Sequence, residues 1–72
     1  MKKIKKIKIS INGKLSMIND NLSLLNFIKQ LEIPLKKVAI ELNQEIIDKN
    51  KLNKIKLKKN DKVEIVHFIG GG

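Results

Sequence analysis

The sequence predicts an α+β fold, one sheet of four or five strands with a single helix packed across one face. Three observations carry this. Stretches 4–11, 37–42 and 62–68 alternate apolar and polar residues, the period of a half-buried strand. One stretch, 23–32, repeats its apolar residues at helical spacing instead. One amphipathic helix can cover only one face of such a sheet, so the other face meets water or a partner.

The first strand sets Ile7, Ile9 and Ile11 on one side and Lys6, Lys8 and Ser10 on the other. Asn12-Gly13 follows, a strong signal for a two-residue type I′ turn, because both positions need positive φ. The return strand is read as Lys14–Ile18, with Leu15 and Met17 on the inner face. Asn19-Asp20-Asn21 is a loop. Ser23 is placed to cap a helix running to about Glu32. Leu24, Phe27, Ile28 and Leu31 form its apolar stripe, and Pro34 stops it.

Beyond the helix, Val38, Ile40 and Leu42 are expected to face in, and Ala39 and Glu41 out. Asn43-Gln44 turns the chain into a short strand, Glu45-Ile46-Ile47. Segment 48–60 is rich in Lys and Asn and reads as irregular, pinned by Leu52, Ile55 and Leu57. After a turn at Asn60-Asp61, Lys62–Phe68 is the last strand. Val63 and Ile65 share the inward phase; Glu64, Val66 and Phe68 take the outward one. His67 is inward by simple alternation. Residues 1–68 are thus one domain, followed by a flexible glycine tail at 69–72.

Composition excludes several function classes. A chain of 72 residues buries about 60% of its unfolded surface and cannot enclose a deep substrate pocket of its own. It has no cysteine, hence no disulfide, thiolate nucleophile or Cys-type zinc site. A single histidine leaves no His cluster for a metal. No phosphate loop, paired catalytic carboxylates or nucleophile–base set is present. The longest apolar run is Val38-Ala39-Ile40, far short of the roughly 20 residues that cross a bilayer, so no membrane partner is expected.

The net charge of +9 comes from sixteen lysines and no arginine. Lys, Ile and Asn all have AT-rich codons, so genome composition explains much of this charge without a nucleic-acid role. A designed phosphate-binding face usually uses arginine, and single-strand binders use aromatic platforms; this chain has two Phe and no Trp or Tyr. No specific nucleic acid is expected. The lysines at 2, 3, 5, 6 and 8 read as a solvated face that discourages edge pairing.

The last three residues, Gly70, Gly71 and Gly72, follow directly on a strand. Glycine has no Cβ, so this thread fits a slot too narrow for other residues. Ile69–Gly72 spans roughly 13 Å when extended. A carboxylate on such a thread can enter another enzyme's active site while the folded body docks outside. Val66 and Phe68, beside that thread and in outward phase, suggest a docking patch, with Phe68 as its aromatic anchor.

Segments VAIELNQEIIDKN (38–50), NDKVEIVHF (60–68) and the final IGGG resemble the ThiS family, the sulfur carriers of thiamine (thiazole) biosynthesis. INGK (11–14) is similar to that family's first hairpin and NLSLLNFIKQL (21–31) to its single helix. The most specific piece is KVEIVHFIGGG (62–72). At 48–51 the chain has Asp-Lys-Asn-Lys where many members carry Pro-Arg or an aromatic.

The resemblance implies a β-grasp, ubiquitin-like fold with a mixed sheet, and no catalysis by the chain itself. It implies that an E1-like (ThiF-type) adenylyltransferase activates the Gly72 carboxylate with ATP. Sulfur from a cysteine desulfurase persulfide would then displace AMP, leaving a thiocarboxylate that a ThiG-type thiazole synthase consumes. No cofactor is bound by the carrier; ATP belongs to the activating partner. Gly71, Gly70 and Ile69 give access, and Phe68, Val66, Glu64, Glu41, Ala39 and His67 are the candidate docking residues. His67 matches the family's VHF and is placed as a rim contact. The cytoplasm is the default location, with a plastid stroma as the alternative. The rival readings are the small subunit of molybdopterin synthase, which shares the glycine chemistry, and a small basic nucleic-acid-binding domain.

Overall fold

The computed structural model describes residues 5–68. Its chain order is β1 (Lys6–Ile11), β2 (Lys14–Asn19), α1 (Leu24–Gln30), a 3-10 turn (Leu35–Lys37), β3 (Val38–Leu42), β4 (Glu45–Ile46), a 3-10 helix (Lys49–Lys54) and β5 (Lys62–His67). The strands form one five-stranded sheet in the order β2-β1-β5-β3-β4. Strands β1 and β5 run parallel at its centre, and the other pairings are antiparallel, so the sheet is mixed as expected.

Local chemistry explains the connections. Asn12 and Gly13 both adopt positive φ (49° and 84°), the geometry a two-residue hairpin with right-handed strand twist requires. Asn43 and Gln44 do the same between β3 and β4, at φ 51° and 71°. Ser23 caps α1, its hydroxyl accepting from the Asn26 amide at 3.1 Å. The helix ends two residues earlier than the sequence suggests. Leu31 is its C-cap and Glu32 takes positive φ (57°), which ends the helix before Pro34 can.

The core lies between the sheet and α1. Ile9, Ile18, Leu24, Phe27, Ile28, Val38, Ile40, Val63 and Ile65 are buried there, joined by Leu52 and Leu57 from the long connection. That connection is not irregular. A 3-10 helix carries Leu52 into the core, and segment 55–57 is laced to the start of α1. The Leu24 amide donates to the Ile55 carbonyl at 2.8 Å, and the Leu57 amide donates to the Leu22 carbonyl at 2.9 Å. Three buried or half-buried apolar residues inside a polar stretch are enough to order it.

Two expectations of inward-facing residues fail. Leu15 and Met17 are exposed, at 72% and 58%, and the inward residues of β2 are Ser16 and Ile18. The hairpin decides this. A two-residue turn sets Ile11 opposite Lys14, so Leu15 falls opposite Ser10 and Met17 opposite Lys8, both on the outward side of β1. Leu31 is also exposed, because it sits past the last helical turn. Strand β2 extends to Asn19, β4 is shorter than read, and β5 ends at His67.

Candidate functional site

The open face of the sheet, away from α1, is built from the outward residues of every strand. Register places Ala39 opposite Val66 and Glu41 opposite Glu64 on β3 and β5, and Ile46 of β4 opposite Glu41. Val66 and Phe68 are exposed, at 49% and 60%, while Ala39, Glu41 and Glu64 are half-buried. All the candidate docking residues except His67 therefore share one surface, as their alternation predicts.

Phe68 is held to the sheet although β5 formally ends one residue before it. Its amide donates to the Lys37 carbonyl at 2.9 Å, one further rung between the two strands. The ring stands over the open face, and the Lys49 ammonium lies 5.4 Å from its centroid, within cation–π range. Sequence reasoning placed no residue of the 48–54 connection in the site. Lys49 belongs there through the tertiary packing of the 3-10 helix, whose Leu52 is buried in the core, a placement without a local signal. Ile46, 74% exposed, was also missed, although its position opposite Glu41 follows from the Asn43-Gln44 turn.

His67 keeps the inward phase, opposite buried Val38, yet it is itself exposed at the end of β5. Alternation gave its side, and at the end of the strand that side is open to solvent. Ile69, Gly70, Gly71 and Gly72, the expected access and acceptor residues, lie outside the described residues, as do Lys2 and Lys3.

The face is chemically mixed. Its end near Phe68 combines apolar Val66, Ala39 and Ile46 with the side-by-side carboxylates of Glu41 and Glu64. Like charges directly across antiparallel strands disfavour each other, which leaves this pair ready for a cationic partner. At the far end of β5 a shallow recess is bordered by Asn43, Gln44, Asn60 and Lys62. One of its polar side chains is spent on structure: Asn43 donates to Asp61 at 3.1 Å and accepts from the Lys62 amide at 2.9 Å. Among the described residues no group of three His, Asp or Glu side chains is arranged to hold a metal. Among the described residues no helix is long and apolar enough to cross a membrane.

A single helix grasped by a mixed five-stranded sheet with parallel central strands defines a β-grasp domain. The crystal structure of the thiamine biosynthesis protein (ThiS) from Geobacter metallireducens superposes with a TM-score of 0.81 at 28% identity, covering 92% of this chain and 100% of that one. The model of the ThiS family matches residues 5–72. The sulfur carrier protein ThiS of Bacillus subtilis is 34% identical over 65 residues, 89% of this chain and 98% of that protein. A thiazole synthase of Paramagnetospirillum magneticum is 35% identical over 66 residues, 92% of this chain. The chain spans only 20% of that synthase's length. The chain belongs to the ThiS family.

Proposed function

We propose that this chain carries sulfur for thiamine biosynthesis as a thiocarboxylate on Gly72. The observation that carries the reading is the family match, which runs from the folded body through the glycine tail to residue 72. The chemistry needs activation first. A carboxylate is a poor electrophile, so an E1-like adenylyltransferase joins it to the AMP of ATP and releases pyrophosphate. A persulfide sulfur, supplied through a cysteine desulfurase, attacks the acyl carbon and expels AMP. Reductive cleavage of the acyl disulfide by a thiol leaves the thiocarboxylate, whose sulfur is then the nucleophile.

The body's part is docking. The Ala39–Val66 pair and Phe68 offer an apolar seat at the root of the tail, and Glu41 and Glu64 offer it a negative border. Gly70 and Gly71 lack the Cβ that would widen the thread. A thiazole synthase is the acceptor that this reading assigns. Its support is that thiazole synthases of two organisms include a stretch similar to this chain. The cytoplasm is the compartment proposed.

The test is intact-mass spectrometry after incubation with a ThiF-type adenylyltransferase, ATP, cysteine and a desulfurase. The expected product gains the mass of one sulfur in place of one oxygen, only with ATP and never in a chain lacking Gly72. An unchanged mass with a demonstrably active adenylyltransferase overturns the proposal.

A further inference from the structure

The two edges of the sheet are unequal. On one side β4 has two residues, too short to template another strand. On the other, β2 has six, Lys14–Asn19, with one lysine and no proline or glycine. In a chain with sixteen lysines, the edge that most needs a charge guard has almost none.

The hydrogen-bond phase shows which backbone groups are free. The Asp20 amide donates to the Lys5 carbonyl at 2.7 Å, so Lys5 and Asp20 form a bonded pair. Counting by two along the register, Ile7–Ile18, Ile9–Ser16 and Ile11–Lys14 are the other bonded pairs. The amides of Leu15, Met17 and Asn19 and the carbonyls of Leu15 and Met17 therefore point away from β1, where no further strand lies among the described residues, while the Asn19 carbonyl accepts from the Leu22 amide at 3.3 Å. The exposed side chains of Leu15 and Met17 stand on the same three-residue stretch.

We infer that β2 pairs antiparallel with β2 of a second copy, about a two-fold axis at Met17. Outward groups must meet outward groups, so residues 15, 17 and 19 pair among themselves. With Met17 opposite the partner's Met17, Leu15 meets the partner's Asn19 and every outward amide of the strand is used, the Asn19 carbonyl accepting a second bond beside the one from Leu22. The same register sets Lys14 opposite the partner's Asp20, twice by symmetry. Shifting the register by two sets Leu15 opposite Met17, but then Lys14 faces Ile18 and Asn19 faces the Gly13 turn. Charge and hydrogen bonding thus select one alignment. The exposed Leu15 and Met17 of both copies become neighbours on a continuous face. The edges left free are the two short β4 strands, so assembly stops at two. Screening of the +9 charge on each copy makes the pairing stronger as salt rises from low ionic strength.

Sedimentation equilibrium of the full chain from about 1 μM to about 1 mM tests this, and spans the range in which a weak dimer declares itself. The expected result is a concentration-dependent shift from one copy to two and no further. Asp20→Lys should raise the dissociation constant about tenfold, and Lys14→Asp with Asp20→Lys should restore it to within about threefold. Met17→Pro, which removes an outward amide and leaves the β1 rungs intact, should abolish pairing while circular dichroism stays unchanged. Amide exchange gives an independent signature. Leu15, Met17 and Asn19 should slow with concentration, whereas Ser16 and Ile18 should be protected throughout. A single copy at about 1 mM, a dimer indifferent to Met17→Pro, or growth beyond two would each overturn the inference.

Discussion

Asn12 and Ile65, 53 positions apart, are joined by two hydrogen bonds through one side chain. The Ile65 amide donates to Asn12 Oδ1 at 2.7 Å, and Asn12 Nδ2 donates to the Ile65 carbonyl at 3.3 Å. The amide of Asn12 thus copies a backbone rung where β1 has already turned away. The same residue must also hold φ at 49°, which asparagine tolerates better than most. One side chain therefore sets the first hairpin and locks it to the strand that ends at Phe68.

Replacing Asn12 removes both functions together. Asn12→Ala should cost about 2 kcal/mol, from two bonds of about 1 kcal/mol each less relaxation, plus strain at positive φ. Asn12→Asp keeps the acceptor for the Ile65 amide and loses the donor, so its cost should be about half as large. Urea denaturation monitored by circular dichroism reads both, and an Asn12→Ala loss under about 0.5 kcal/mol would deny the bridge its weight.

Docking should separate from folding at Phe68. The ring is 60% exposed, so Phe68→Ala should change stability by no more than about 0.5 kcal/mol. An anchor of this type contributes about 2 kcal/mol to binding, so kcat/KM of the activating enzyme for the variant carrier should fall at least about tenfold. Lys49→Met, which removes only the ammonium, should have a smaller effect, within about threefold, since an exposed cation–π contact is worth about 0.5 kcal/mol. Adenylation rates against carrier concentration check this, and an unaltered rate for Phe68→Ala would move the docking surface elsewhere.

Stabilising changes should exist where non-glycine residues hold positive φ without any use for their side chains. Gln44 sits at φ 71° and Glu32 at φ 57°. Neither side chain makes a hydrogen bond among the described residues. Gln44→Gly completes the Asn-Gly pattern that a type I′ turn prefers, and Glu32→Gly supplies the usual residue beyond a helix C-cap. Relief of left-handed strain, less the entropy glycine adds to the unfolded chain, leaves about 0.5 kcal/mol gained at each. Additive rises in melting temperature from calorimetry are the expected outcome, because the two turns share no partner.

Much of this architecture was legible from local pattern. The alternation in β3 and β5 placed Val63, Ile65, Val38 and Ile40 inward and Val66 and Phe68 outward, as found. The error at Leu15 and Met17 came from reading hydrophobicity ahead of turn arithmetic. The Asn12-Gly13 turn already fixes Lys14 opposite Ile11, which leaves Leu15 no choice but the outer face. Lys49 was not legible at all. Its place beside Phe68 depends on how the long connection packs, and nothing within a few residues of it encodes that contact. His67 shows a third limit, since phase assigns a side and says nothing of where the cover of the helix ends.

The long connection supplies the sharpest contrast between composition and structure. Segment 48–60 reads as solvent-loving, yet Leu52 is fully buried and Leu57 nearly so. Leu52→Ala should therefore behave as a core deletion and cost about 3 kcal/mol, the usual range for a buried leucine. A domain of this size has total stability of roughly 4–10 kcal/mol, so the variant should be partly unfolded at 37 °C. Leu15→Ala, the same substitution on the exposed hairpin, should cost under about 0.5 kcal/mol, although sequence pattern alone would rank the two the other way round. If both substitutions cost the same in urea titrations, the connection is not docked as described. Lys49 would then lose its support, and so would the cation beside Phe68.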